Sequence, residues 1–127
     1  MGTSYVLLDQ ARGMLAEARR ERGAGERYSL AHRAALRAAA ALVAERGRPA
    51  ASRRRLVSAW VLLDVVAPEL TRWSTYFAST AQARVAVEAG ATSAVTRLDA
   101  DVQLRMAEEF LVLVEESIEL LVAPKAS

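Results

Sequence analysis

Apolar positions recur every three to four residues along four long stretches of the chain, and turn chemistry separates them. That period predicts helices. The first stretch runs from about Ser4 to Arg22, with Leu7, Leu8, Ala11, Met14, Leu15 and Ala18 on one stripe and Gly23-Ala24-Gly25 ending it. The second runs from about Glu26 to Arg46. Tyr28, His32, Ala35, Leu36, Ala39, Leu42 and Val43 gather on its inward face, while Arg33 and Arg37 point away. Its alanines admit a neighbouring helix at close range. Gly47, Pro49 and Ser52 then form a loop.

The third stretch, from about Arg53 to Ala67, is apolar on nearly every side through Leu56, Val57, Trp60, Val61, Leu62, Leu63, Val65 and Val66. A helix apolar all round is expected at the centre of the fold. Asp64 interrupts it, and a carboxylate buried there would need an arginine partner from the second helix or another subunit. Pro68 lacks an N–H and clashes with the preceding turn, so the helix should bend there. Leu70, Trp73, Tyr76, Phe77, Ala81 and Arg84 carry it on to Gly90. The fourth stretch opens on Thr96-Arg97-Leu98-Asp99, a capping box. It sets Met106, Phe110, Leu111, Leu113, Val114, Ile118 and Leu121 against Asp101, Glu108, Glu115, Glu116 and Glu119, and Pro124 stops it. The expected fold is all-α: one domain over residues 1–127, an up-and-down bundle of four main segments, the third bent at Pro68. Part of the wide apolar face of the last helix is expected to meet a second subunit.

Composition sharpens this picture. The 127 residues include 27 Ala but only six Gly and three Pro, which favours helix over strand. A chain of this length buries roughly two-thirds of its unfolded surface, enough for a core without staples. No cysteine is present, which excludes disulfides, thiolate nucleophiles and cysteine-bound metals. His32 is the only histidine, so no multi-histidine metal site forms within one chain, and neither metal nor cofactor is expected. The apolar run at Tyr5–Leu8 is too short for a signal peptide, and no stretch is long enough to span a bilayer. A cytoplasmic protein without membrane attachment is expected.

The net charge of +2 conceals a division. Residues 1–64 carry twelve Arg and six carboxylates, whereas residues 65–127 carry five basic and nine acidic side chains. Sixteen of the seventeen basic residues are Arg, a composition that a GC-rich coding sequence also produces.

Two segments carry a family resemblance. Arg27-Tyr28-Ser29-Leu30-Ala31-His32-Arg33-Ala34-Ala35-Leu36-Arg37 resembles the second helix of a small HEPN (higher eukaryote and prokaryote nucleotide-binding) domain. Ala67-Pro68-Glu69-Leu70-Thr71-Arg72-Trp73-Ser74-Thr75-Tyr76-Phe77, with Val87-Glu88-Ala89-Gly90, resembles the third-helix region of the SAV-like HEPN branch of high-GC bacteria. The resemblance implies a helical bundle, commonly dimeric, in defence, toxin–antitoxin or RNA-related settings. Catalytic members are metal-independent RNases with an Arg-x4–6-His motif, and Arg27 and His32 stand in that register here. The register falls at the start of the second helix rather than near the last, and Tyr28 follows Arg27.

A metal-independent RNase needs an acid or base of near-neutral pKa and a cation to meet developing phosphorane charge. His32 and Arg27 are the candidates for those roles. Five residues along a helix separate two side chains by about 140°, so a dimer would have to bring two copies to one phosphate. The structural alternative makes His32 a hydrogen-bonded core residue and ties Arg27 to Glu26 or a helix end. The segment Arg46, Arg48, Arg53, Arg54, Arg55 is the candidate nucleic-acid surface, because clustered arginines bind phosphate without sequence preference. No aromatic residue interleaves them, so single strands would not stack there. The expectation is a non-catalytic, homodimeric interaction module binding protein or RNA. The alternative is a toxin-type endoribonuclease using Arg27 and His32.

Overall fold

The computed structural model describes residues 2–48 and 58–122. They form five α-helices: α1 (Gly2–Arg20), α2 (Ala24–Arg46), α3 (Ala59–Val66), α4 (Thr71–Glu88) and α5 (Arg97–Val122). Short 3₁₀ turns span Pro68–Leu70 and Thr92–Ala94, and the described residues contain no strand. The all-α bundle is as expected from the pattern.

The third stretch divides into two helices rather than one bent helix. Ala67 leaves helical geometry at φ −142°, ψ 65°, as a residue before proline tends to do, and Pro68 opens the 3₁₀ turn that leads into α4. Thr71 Oγ1 donates to the Pro68 carbonyl at 2.9 Å and ties the start of α4 to the 3₁₀ turn. Ser58 caps the start of α3, its hydroxyl accepting from Trp60 N–H at 3.2 Å. Pro124, Arg53, Arg54, Arg55, Leu56 and Val57 lie outside the described residues.

The central helix is α2, not α3. Helix α2 packs against all four other helices and buries Ala31, Ala34, Ala35, Ala38, Ala39, Ala41 and Leu42. These alanines contribute little transfer energy themselves, but they let the surrounding helices close in. In α3 only Trp60, Leu62 and Leu63 are buried, and Val61 and Val65 are 53% and 62% exposed. A helix of eight residues at the edge of the bundle has one inward face, whatever its composition. Asp64 is correspondingly exposed, and its partner is the hydroxyl of buried Ser74 on α4 rather than an arginine.

The core gathers Leu8, Ala11 and Leu15 of α1, the inward faces of α2 and α3, Phe77 of α4, and Phe110, Val114 and Ile118 of α5. At its centre Trp60 stacks on Phe77 with ring centroids 5.1 Å apart, and Phe110 approaches both at an angle. Such pairs contribute about 0.5–1.5 kcal/mol each beyond area burial. The capping box at the start of α5 forms in both directions: Thr96 N–H donates to Asp99 at 2.9 Å, and Asp99 N–H to Thr96 Oγ1 at 3.0 Å. Gly47 closes α2 at φ 90°, a left-handed conformation that favours glycine, and donates to the Val43 carbonyl at 2.9 Å.

Candidate functional site

The inward face of α2 carries His32 into the meeting point of α2, α3 and α4. The ring is 1% exposed, and its Nε2–H donates to the Phe77 carbonyl at 3.0 Å. Trp60 and Phe77 stand edge-on to it, with centroids 5.9 and 5.8 Å away. Because a carbonyl only accepts, this bond fixes the neutral tautomer and leaves Nδ1 as a buried acceptor without a partner. Burial holds the His32 pKa below the usual imidazole value; the Phe77 carbonyl opposes that shift, Arg84 adds to it, and Glu88 opposes it. His32 is therefore buried and hydrogen-bonded within its own chain.

Arg27 points elsewhere. Its Nε donates to the carbonyls of Ala18 and Glu21 at 3.1 Å, a second nitrogen reaches Glu21 O at 2.8 Å, and a third meets Asp101 at 2.6 Å. One guanidinium thus satisfies carbonyls at the end of α1 and joins them to α5. The helix end anticipated as its partner is the right one; Glu26 is not involved. Arg27 engages α1 and α5 while His32 engages α4, so the two side chains face different neighbours.

A polar seam that the sequence reading missed lies beside His32. Buried Ser29 donates to Glu88 of α4, and Arg84 holds the other Glu88 oxygen at 2.9 Å. The Ser29 hydroxyl, ahead of Arg84 and Arg33, holds the Glu88 carboxyl below its ordinary range, against desolvation. Further along, fully buried Gln103 donates to Thr80 Oγ1 at 3.3 Å, and its own carbonyl oxygen has no partner. Burial also pushes the Tyr76 hydroxyl up to about 12. The available signal was Ser29, which sits one turn before His32 on an otherwise apolar stripe. Among the described residues no three His, Asp or Glu side chains converge on a metal position.

Of the basic segment, only Arg46 and Arg48 fall within the described residues. Arg46 is drawn inward: it donates to the Val66 carbonyl at the end of α3 at 2.9 Å and pairs with Glu69 at 2.6 Å. Arg48 is exposed and borders a cavity of about 340 Å³ between α1, α2 and α3, lined mainly by Leu7, Ala40, Val43 and Leu62. The acidic residues of α5 are not simply solvated either, because Glu108 and Glu115 pair with Arg19 and Arg12 of α1. No helix among the described residues is long and apolar enough to cross a membrane.

An α-helical bundle with a neutral histidine sealed at its centre and an arginine bracing its helix ends defines a class of small all-α domain. Within that class the family is shown by comparison: the SAV_6107-like HEPN family model matches residues 18–115, from the end of α1 through most of α5. The chain belongs to this HEPN family. No curated protein and no solved structure matched it.

Proposed function

We propose that this HEPN domain is a non-catalytic, dimeric interaction module of the cytoplasm, acting by binding a protein or RNA partner rather than by cleaving RNA. The observation that carries this reading is the closure of His32, whose acid–base nitrogens are sealed among Trp60, Phe77 and the Phe77 carbonyl. A general acid or base must reach the atoms it serves, and depressing the imidazole pKa by burial does not create access. Arg27 supports the same reading, since its donors are engaged by Ala18, Glu21 and Asp101. A protein partner is favoured over RNA because Arg46, part of the basic segment, is already neutralised by Glu69. The test is incubation of the purified full chain with a mixed-sequence RNA beside its His32→Ala variant. The expected outcome is no cleavage by either protein. Cleavage by the wild type that is lost in folded His32→Ala protein would overturn the reading in favour of the toxin-type endoribonuclease.

A further inference from the structure

Helix α5 presents a second pattern, on the side away from the core. Leu98, Val102, Arg105, Glu109, Val112 and Glu116 follow one another at alternating spacings of four and three residues, so they lie within about 40° of one line along the helix. All six are exposed, Leu98 and Val112 by 71% and 51%. Four of the other charges of this helix are engaged: Asp99 in its cap, Asp101 with Arg27, Glu108 with Arg19 and Glu115 with Arg12. Arg105, Glu109 and Glu116 make no ion pair among the described residues. Arg105 and Glu109 do not pair with each other either, although they stand four residues apart.

The order of these residues is self-complementary. Lay a second α5 antiparallel on the first, with the two-fold axis level with residue 107. Arg105 of each copy then faces Glu109 of the other, and Val102 of each faces Val112 of the other. Leu98 lies over the aliphatic stem of Glu116. Every contact occurs twice, as an isologous interface requires. A parallel arrangement sets Arg105 against Arg105 and Glu109 against Glu109. Sliding the antiparallel partner by about one turn either way places Glu109 or Arg105 on its own symmetry mate. One register satisfies both charge and apolar matching.

We infer that a second copy of this chain docks along α5 in that antiparallel register, with Val102 and Val112 as its apolar contacts and Arg105 and Glu109 as its alignment charges. This rests on the dimeric part of the reading above and supplies its interface. The seam is one helix wide and modest in area, so the dimer is weak and concentration-dependent.

Sedimentation equilibrium of the full chain from about 1 to 200 μM in moderate salt reads the association; that range spans the weak affinities of small interfaces. The wild type is expected to show a monomer–dimer equilibrium. Arg105→Glu and Glu109→Arg each turn two attractions into two repulsions, and each is expected to weaken dimerisation by about tenfold or more. The double variant R105E/E109R restores the match and is expected to return to near wild-type association. A wild type that stays monomeric throughout, or a dimer indifferent to both single swaps, overturns the interface. Orientation is read separately, because the chain has no cysteine of its own. Val102→Cys and Val112→Cys proteins are expected to form a disulfide when mixed but not singly, since like positions lie about 15 Å apart across the two-fold and a disulfide spans less than about 7 Å. Cross-linking of either variant alone as readily as in the mixture also overturns it. A dimer that ignores the swaps leaves the dimeric reading standing and removes only this face. RNA cleavage removes the non-catalytic reading and leaves this face untouched.

Discussion

Replacing His32 by alanine probes the packing that seals the candidate site. The substitution empties a position that is 1% exposed and bounded by Trp60 and Phe77. Truncating a large buried side chain costs about 2–5 kcal/mol through lost contacts and the residual cavity. Two features pull the expected value toward the low end. The Phe77 carbonyl keeps a partner in Thr80 Oγ1 at 3.1 Å, so losing the imidazole donor does not orphan it. The substitution also removes the unpartnered Nδ1, whose burial costs about 1 kcal/mol or more. The net expectation is a loss of about 2–3 kcal/mol, read by urea unfolding at pH 7.5 with an unchanged m-value. His32→Leu keeps most of the volume and drops both nitrogens, so it should stay within about 1.5 kcal/mol of wild type. His32→Ala as stable as wild type would refute the packing argument.

The same residue sets a pH dependence. Its folded pKa lies below the ordinary 6.5, so between those values the unfolded chain binds more protons than the folded one. Stability therefore rises with pH across that interval and falls as the solution is acidified below about 6.5. The slope from one group cannot exceed about 1.4 kcal/mol per pH unit. Desolvation is the main cause, and protonation would also place a donor on Nδ1 with nothing to receive it. The fall should be present in the wild type and missing from His32→Leu between pH 6.5 and about 5, above the range where carboxylates titrate. Equal acid sensitivity in both proteins would assign the effect elsewhere.

Other substitutions test separate joints. Arg27→Met removes donors to two helix-end carbonyls and to Asp101, and should cost about 1–3 kcal/mol in urea unfolding; Arg27→Lys should recover only part, because an ammonium cannot reproduce the fork. Gly13→Ala, mid-helix with open space around the added carbon, should stabilise by about 0.5–1 kcal/mol in a thermal melt. Gly25→Ala should instead destabilise, because its new Cβ would sit 2.9 Å from Val87 Cγ1 and a β-branched valine has little room to turn.

Much of the fold was legible because the period of the pattern is strong where helices are long. Helices α1, α2 and α5, the capping box at Thr96 and Asp99, and the interruption at Pro68 all follow from local rules. The order of burial did not. Hydrophobicity ranked α3 as the centre, yet eight residues at the rim bury one face and leave Val61 and Val65 outside. Helix α2, diluted with alanine, holds the middle, because small side chains let four neighbours approach its axis. What decides centrality in a small bundle is access for neighbouring backbones, and a hydropathy pattern does not measure it.

The site shows the converse. An arginine and a histidine five apart read as a chemical pair only if distance along the chain stands for distance in space. On a helix it stands for angle, and about 140° of rotation sends Arg27 to α1 and α5 while His32 turns to α4. The polar groups that do meet, Ser29 with Glu88 and Gln103 with Thr80, come from different helices, and no spacing rule within one helix predicts them. Each joins α4 to a neighbour beside His32. In this HEPN fold the buried polar residues therefore favour one register for docking α4 onto α2 and α5: a slip of one turn would part Ser29 from Glu88, the His32 Nε2–H from the Phe77 carbonyl and Gln103 from Thr80 together.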